Sequence, residues 1–184
     1  ILILRGGWLE GLGLLPNSLL KNVNGKHFEN VSFETGLTSA YPSHSAVWAD
    51  FNNDGRPDIY VANDSLPNFL FQNNGDKKFT EAALFNGTAL SDDGKEQAGM
   101  GVDFGDYDND GDLDMVVVGL DSAGETIGHL YRNIGAGTFS FLRSFNGIDG
   151  YMGAFADLDH DGDIDLVFAG DDRVYINEGS GSFA

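Results

Sequence analysis

The chain of 184 residues has no cysteine, only 4 prolines and only 10 Lys and Arg residues. The lack of cysteine excludes disulfides, thiolate catalysis and thiolate metal sites within this chain. The shortage of basic residues argues against nucleic acid as a partner, because phosphate binding needs clustered Lys and Arg. No apolar run approaches the roughly 18 residues of a membrane-spanning helix, so we expect no direct membrane insertion.

Acidic residues are abundant instead: Asp and Glu number 29, and the net charge is -19. Strong acidity is typical of disordered chains, but here apolar segments separate the acidic stretches, which favours a folded domain. Most of the Asp residues lie in three short loops, where their mutual repulsion would destabilise the fold without a bound cation. The 26 glycines indicate many tight turns.

The three acidic loops share the pattern D-x-[DN]-x-D-G-x-x-D, at residues 50–58, 106–114 and 157–165. Alternate positions of a tight loop point inward, so the oxygen side chains at positions 1, 3, 5 and 9 converge on one ion. Position 7 adds its backbone carbonyl, and glycine at position 6 permits the sharp turn. We therefore predict three Ca²⁺ sites. Their ligands are Asp50, Asn52, Asp54, Arg56 and Asp58; Asp106, Asp108, Asp110, Asp112 and Asp114; and Asp157, Asp159, Asp161, Asp163 and Asp165.

The ligand chemistry narrows the choice of ion. Carboxylate oxygens argue against Zn²⁺ and Cu²⁺, which favour imidazole and thiolate, whereas Mg²⁺ stays an alternative that keeps more water. Acidic turns in which Asp only caps backbone amides would explain one such loop but not the same four positions three times. The first loop carries Asn52 at position 3 and so has one carboxylate fewer. We expect it to be the weakest of the three sites.

The repeat extends beyond the loops. A short segment with an aromatic residue precedes each loop, a β-rich run such as Ile59–Ala62 follows it, and a third apolar element ends in Asn before a Gly-containing turn. Each unit thus predicts about four short strands joined by tight turns. Four-stranded units that recur about every 50 residues are typical of a β-propeller. The predicted fold class is all-β, with propeller-type blades of four antiparallel strands.

These motifs resemble the FG-GAP/VCBS repeat family, the calcium-binding blades of integrin-α-like propellers, and the bacterial members associated with ASPIC/UnbV domains most of all. The stretches that carry the resemblance are 48–63, 99–114 and 130–139, and the resemblance covers about 18–184. It implies a propeller, Ca²⁺ in the loops between strands, an extracellular or cell-surface location, and a binding or adhesive role. The partners that it implies are other proteins or surface glycans.

The repeat divides the chain into units. We predict an N-terminal apolar segment at 1–17 outside the repeat, a half blade at 18–40, and blades at about 41–90, 91–145 and 146–184. This makes about three and a half blades, whereas propellers of the family usually close with seven. A propeller must close to cover its edge strands. Either further blades or another copy would complete it, and the unpaired edges suggest a homo-oligomer or a fibre.

Three functions stay open at this point. The first is a calcium-stabilised extracellular scaffold for adhesion, and the second is a self-assembling subunit of an extracellular fibre. The third is a non-catalytic module of a secreted carbohydrate-active enzyme. None of the four histidines has a neighbouring Ser or Cys pattern that suggests a nucleophile, so we expect no enzyme in this segment.

Glycosylation is a separate expectation. Sequons begin at Asn30, Asn63 and Asn86, and we expect Asn86 to be the best acceptor because it lies in a connection at about 83–98 that is predicted to be a surface loop.

Overall fold

The computed structural model describes residues 1–5, 15–121, 123–170, 173–179 and 181–183. In this described part the chain forms short strands and one helical turn. In chain order the elements are β1 (Leu2–Ile3), β2 (Ser18–Val23), β3 (His27–Asn30), α1 (Ser32–Thr35), β4 (Ser43–Ala49), β5 (Asp58–Asn63), β6 (Phe69–Asn73), β7 (Phe79–Glu81), β8 (Ala98–Gly105), β9 (Asp114–Leu120), β10 (Thr126–Asn133), β11 (Phe139–Asn146), β12 (Met152–Ala156), β13 (Asp165–Ala169) and β14 (Arg173–Tyr175). Neither the length nor the apolar character of the described helix suits it to crossing a membrane.

The strands form four antiparallel sheets in which neighbours along the chain are neighbours in the sheet. Two sheets have four strands, β4-β5-β6-β7 and β8-β9-β10-β11, and two have three, β1-β2-β3 and β12-β13-β14. The all-β fold with four-stranded antiparallel blades is thereby confirmed. No closed barrel forms among the described residues.

The second strand of each four-stranded sheet is its most deeply buried strand. β5 is buried over its whole length, and β9 exposes only its last residue partly. Both strands are rich in β-branched and other apolar side chains on both faces, which suits a sheet covered on both sides. The apolar runs after the Asp loops therefore form the strands that the sequence predicts.

Adjacent sheets pack with their first strands close together, since β4 contacts β8 and β8 contacts β12. In the first two loops an aromatic residue at position 2 enters the interface with the next sheet. Phe51 lies 5.9 Å from Phe104 of β8, ring centroid to centroid, and Tyr107 stacks on Phe155 of β12 at 6.5 Å. The first two Asp loops are therefore part of the packing between sheets and not appendages at their edge.

The structure adds detail to two expectations. The segment predicted to lie outside the repeat includes β1, which pairs with β2 in the register Leu2↔Leu19 and so takes the place that β5 takes in the next sheet. The exact limits of the predicted units stay predictions. The connection around 83–98 is only partly a surface loop, because Ala83, Thr88, Ala89 and Gln97 are buried against the second and third sheets.

The choice of Asn86 as the best glycosylation acceptor is weakened for the same reason. Its Nδ2 donates a hydrogen bond to the carbonyl of Gly137 at 2.7 Å. Asn63 is fully buried, whereas Asn30 is exposed. Of the three sequons, the structure leaves Asn30 most accessible.

Candidate metal centres

Each Asp loop joins the first strand of a sheet to its second strand, and all three loops adopt the same backbone. Position 4 has a left-handed conformation in each of them, with φ of 56° at Asn53, 59° at Asn109 and 65° at His160. The glycine at position 6 also has positive φ in all three. Asn and Gly tolerate this region best, which explains why the turn accommodates so many ligand positions in nine residues.

The carboxylate at position 1 organises the turn in the first two loops. Asp50 accepts hydrogen bonds from the backbone N–H groups of Asp54 at 3.0 Å and Gly55 at 2.8 Å. Asp106 accepts the corresponding two bonds, both at 3.0 Å. Each of the two carboxylate oxygens accepts one of these amides, so Asp has a structural role here besides any ligand role.

The aspartate at position 9 is fully buried in all three loops, at Asp58, Asp114 and Asp165. One carboxylate oxygen of each accepts a hydrogen bond from the backbone N–H of an Asn that ends the third strand of the repeat or, in the last sheet, follows it by two residues, at 2.6 to 2.8 Å. The three asparagines are Asn73, Asn133 and Asn177. The sequence analysis did not assign these asparagines to the site, although their fixed place in every repeat was the signal that could have found them.

Carboxylates converge in the second and third loops. One oxygen each of Asp106, Asp108 and Asp114 lie within 4.8 Å of one another. The same holds for Asp157, Asp159 and Asp165. These are positions 1, 3 and 9 of the predicted ligand set. The first loop has an amide, Asn52, at position 3 and therefore lacks the third carboxylate.

Every loop also contains a buried carboxylate oxygen that has no hydrogen-bond partner, namely Oδ2 of Asp58, Oδ1 of Asp108 and Oδ1 of Asp157. Buried polar atoms are normally satisfied, so each of these oxygens needs an explanation such as an ion. Burial, reinforced by neighbouring carboxylates, raises the pKa of Asp58 to about 6 and that of Asp114 to about 7. A divalent cation would supply the missing partner and offset the repulsion, so the residues fit a hard cation.

Arginine side chains pair with the position-5 carboxylates of the first two loops and with the position-3 carboxylate of the second loop. Arg132 of β10 pairs with Asp108 at 2.8 Å and Asp110 at 2.9 Å, and it lowers the pKa of Asp110. Arg56 pairs with Asp54 at 2.5 Å in the first loop. The ligand roles of the position-5 carboxylates and of the position-7 carbonyls stay predictions. The two arginines are also charged neighbours of the site that the sequence analysis did not consider in this role.

Comparison with known proteins identifies the family whose sequences this chain matches. A family model described as FG-GAP-like repeat matches residues 15–61 and 50–117, which together make up more than half of the chain. A stretch of 87 residues, 47% of the chain, is 36% identical to Cartilage acidic protein 1 of Xenopus tropicalis and 32% identical to that of Homo sapiens. The chain covers only 13% of the length of these relatives. Both are animal proteins, so the narrower assignment to the bacterial ASPIC/UnbV type stays a prediction.

Proposed function

Because the chain belongs to the FG-GAP-like repeat family, we propose that it is a calcium-stabilised extracellular scaffold that presents a binding surface to other proteins or to surface glycans. It would carry three Ca²⁺ ions, one in each Asp loop. In this role the chain performs no reaction. The ions act as structural cross-links, and the faces of the sheets and the loops between them provide the surface for adhesion.

One observation carries the calcium part of this proposal: a buried carboxylate oxygen without a partner recurs in each of the three loops. These oxygens belong to positions 9, 3 and 1 of the pattern, which are three of the four predicted side-chain ligand positions. The dense, all-oxygen donor set and its lack of imidazole favour Ca²⁺ over transition metals. Weak calcium sites of extracellular modules suit millimolar calcium outside cells, which supports the proposed location.

The thermal stability of the chain, measured with and without calcium, tests the structural role of the ions directly. At a free Ca²⁺ concentration about 100-fold above Kd, each occupied site adds roughly 2.7 kcal/mol to the free energy of unfolding. We expect the melting temperature to drop by more than about 10 °C when calcium is replaced by excess EDTA. Mg²⁺ at the same concentration should restore only part of the loss. An unchanged melting temperature in EDTA would remove the structural role of the ions.

Self-assembly is the second candidate, and exposed side chains on β4 and in the third Asp loop favour it. Leu158 at position 2 of the third loop is 43% exposed, whereas its counterparts Phe51 and Tyr107 are 1% and 2% exposed. Trp48, the counterpart of Phe104, is also 43% exposed. A further blade or another copy would cover these faces. Sedimentation across a range of concentrations tests this, and a monomer at all of them would contradict self-assembly of this segment.

The ligand class needs its own experiment. A glycan array probed with and without Ca²⁺ would separate a lectin from a pure protein scaffold. It would also expose turnover of a glycan, which would favour the alternative of a module from a carbohydrate-active enzyme.

A further inference from the structure

We infer that the three Asp loops are coupled to one another in chain order by two rows of asparagine side chains, so that an ion bound in one loop strengthens binding in the next. This inference rests on the proposed calcium function. It concerns the residues Asn53 and Asn109, to which the ligand pattern gives no role.

The first row starts from position 4 of a loop and reaches the following loop. Nδ2 of Asn53 donates to Oδ1 of Asp112 at 2.6 Å and to the carbonyl of Gly111 at 3.3 Å. Nδ2 of Asn109 donates to Oδ1 of Asp163 at 2.5 Å. Both acceptor aspartates hold position 7, whose backbone carbonyl is a predicted ligand. Each bridge therefore fixes a ligand-bearing residue of the next loop.

The second row runs in the opposite direction. Nδ2 of Asn133 donates to the carbonyl of Phe51 at 2.8 Å, and Nδ2 of Asn177 donates to the carbonyl of Tyr107 at 2.6 Å. The backbone N–H groups of these two asparagines hold the buried position-9 aspartates of their own loops. Ordering of one loop around its ion is thereby transmitted to position 2 of the loop before it.

These contacts give a physical basis for positive coupling. An empty loop loses the attraction that balances its carboxylates, and its positions 4 and 7 are then held less firmly. An ion in the neighbouring loop holds the other end of the same hydrogen bond and so reduces the ordering that the second ion must supply. Such coupling is reciprocal, because each ion must affect the affinity for the other by the same factor.

The third loop provides an internal control. His160 has the same left-handed backbone as Asn53 and Asn109, but it is exposed and forms no hydrogen bond to any residue that the structure describes. A change at His160 therefore tests the backbone position alone. Glycine is the suitable substitute at all three positions, because it keeps positive φ without strain and removes only the side chain.

The experiment is a calcium titration of the 184-residue chain followed by amide NMR. The position-6 glycines Gly55, Gly111 and Gly162 each report on one loop. We expect Asn53→Gly to raise the Ca²⁺ midpoint at Gly111 about five- to tenfold, with a matching rise at Gly55 and a smaller one at Gly162. Asn109→Gly should shift Gly111 and Gly162 most, and the His160→Gly control should leave all midpoints within twofold.

A second variant separates loss of the bridge from loss of stability. Asn53→Asp keeps a side chain that tolerates the left-handed backbone but cannot donate to Asp112, so it should uncouple the Gly55 and Gly111 midpoints as Asn53→Gly does, whatever its added charge does to each affinity. If Asn53→Gly and Asn109→Gly both behave like His160→Gly while calcium still binds all three loops, the coupling is refuted and the proposed function stands. If none of the three glycine amides of the unchanged chain responds to calcium, the proposed function fails and the coupling fails with it.

Discussion

The first and second Asp loops share a backbone but differ in charge, and the contrast separates what shapes the loop from what sets its affinity. In both loops the position-1 aspartate accepts the amides of positions 5 and 6, and position 9 is buried and held by an asparagine of the third strand. These contacts are present whether position 3 is Asn52 or Asp108. The turn is therefore a property of positions 1, 4, 6 and 9.

The charges around that common turn are arranged differently. The first loop replaces one carboxylate by an amide, and its own Arg56 pairs with Asp54. The second loop has all its carboxylates, and Arg132 reaches across from β10 to two of them. Ligand charge helps to set calcium affinity. We therefore expect changes at position 3 and at the nearby arginines to alter calcium affinity without disturbing the turn.

The largest effect is expected from the buried position-9 aspartate. Asp114→Asn keeps one oxygen for the N–H of Asn133 but removes the charge, and we expect the calcium affinity of the second loop to fall by at least about 100-fold. Calorimetric titration measures this as the loss of one of the sites. Asp92→Asn, an exposed residue outside the loops, is the matched control. Retention of all sites in Asp114→Asn would show that position 9 is not a ligand.

The next largest effect is expected on the way in which the stability of the ion-free protein depends on pH. Burial raises the pKa of Asp58 to about 6 and that of Asp114 to about 7, so the folded state binds more protons than the unfolded state between about pH 4 and pH 7. Stability without calcium should therefore fall by several kcal/mol as pH rises through this window, because each unit of pKa shift is worth about 1.4 kcal/mol. Urea unfolding in EDTA at several pH values measures it.

At saturating calcium the stability should instead rise with pH, because protonation of the carboxylates at low pH competes with the ion. The double variant Asp58→Asn and Asp114→Asn should flatten the ion-free profile. An ion-free stability that rises with pH over the same window would contradict the assignment of these two carboxyl groups.

An exchange at position 3 sharpens the contrast between the two loops. Asn52→Asp should strengthen calcium binding in the first loop by about tenfold, and Asp108→Asn should weaken it in the second loop by a similar factor. The order of the two affinities would then be reversed in the double variant. Site-resolved NMR midpoints are the measurement. A first loop that is already the tightest site in the unchanged chain would refute the charge argument.

The smallest effect is expected at Arg132. Its guanidinium competes with an ion for Asp108, so Arg132→Gln should raise the calcium affinity of the second loop about threefold. The guanidinium is exposed, so loss of its pairs should change the stability of the ion-free protein little. Lys95→Gln removes another surface pair, with Asp93, far from the loops and serves as control. A lower affinity in Arg132→Gln would mean that the arginine instead positions the ligands.

Much of the fold was predictable because its signals are local. The nine-residue loops, the apolar runs after them and the Asn-Gly turns each have a local physical cause, and the strands β5, β9 and β13 form where those runs lie. The pairing of Leu2 with Leu19 was not predictable in this way, since two apolar residues at a strand edge carry no periodic signal.

The clustering of carboxylates was predictable, but the surroundings of the clusters were not. Spacing alone brings Asp106, Asp108 and Asp114 together. The competition by Arg132, the support from Asn133 and the bridges from Asn53 depend on contacts between strands and between sheets, at separations of about 20 to 80 residues. Such contacts follow from the packing of one sheet on the next, which the sequence pattern of a single repeat does not contain.

A crystal structure of the chain grown in calcium, with anomalous data, would show most directly whether the three loops hold ions. We expect one ion in each loop, with oxygens of positions 1, 3 and 9 at about 2.3–2.6 Å. Well-ordered loops without anomalous density, in crystals that contain millimolar calcium, would contradict it.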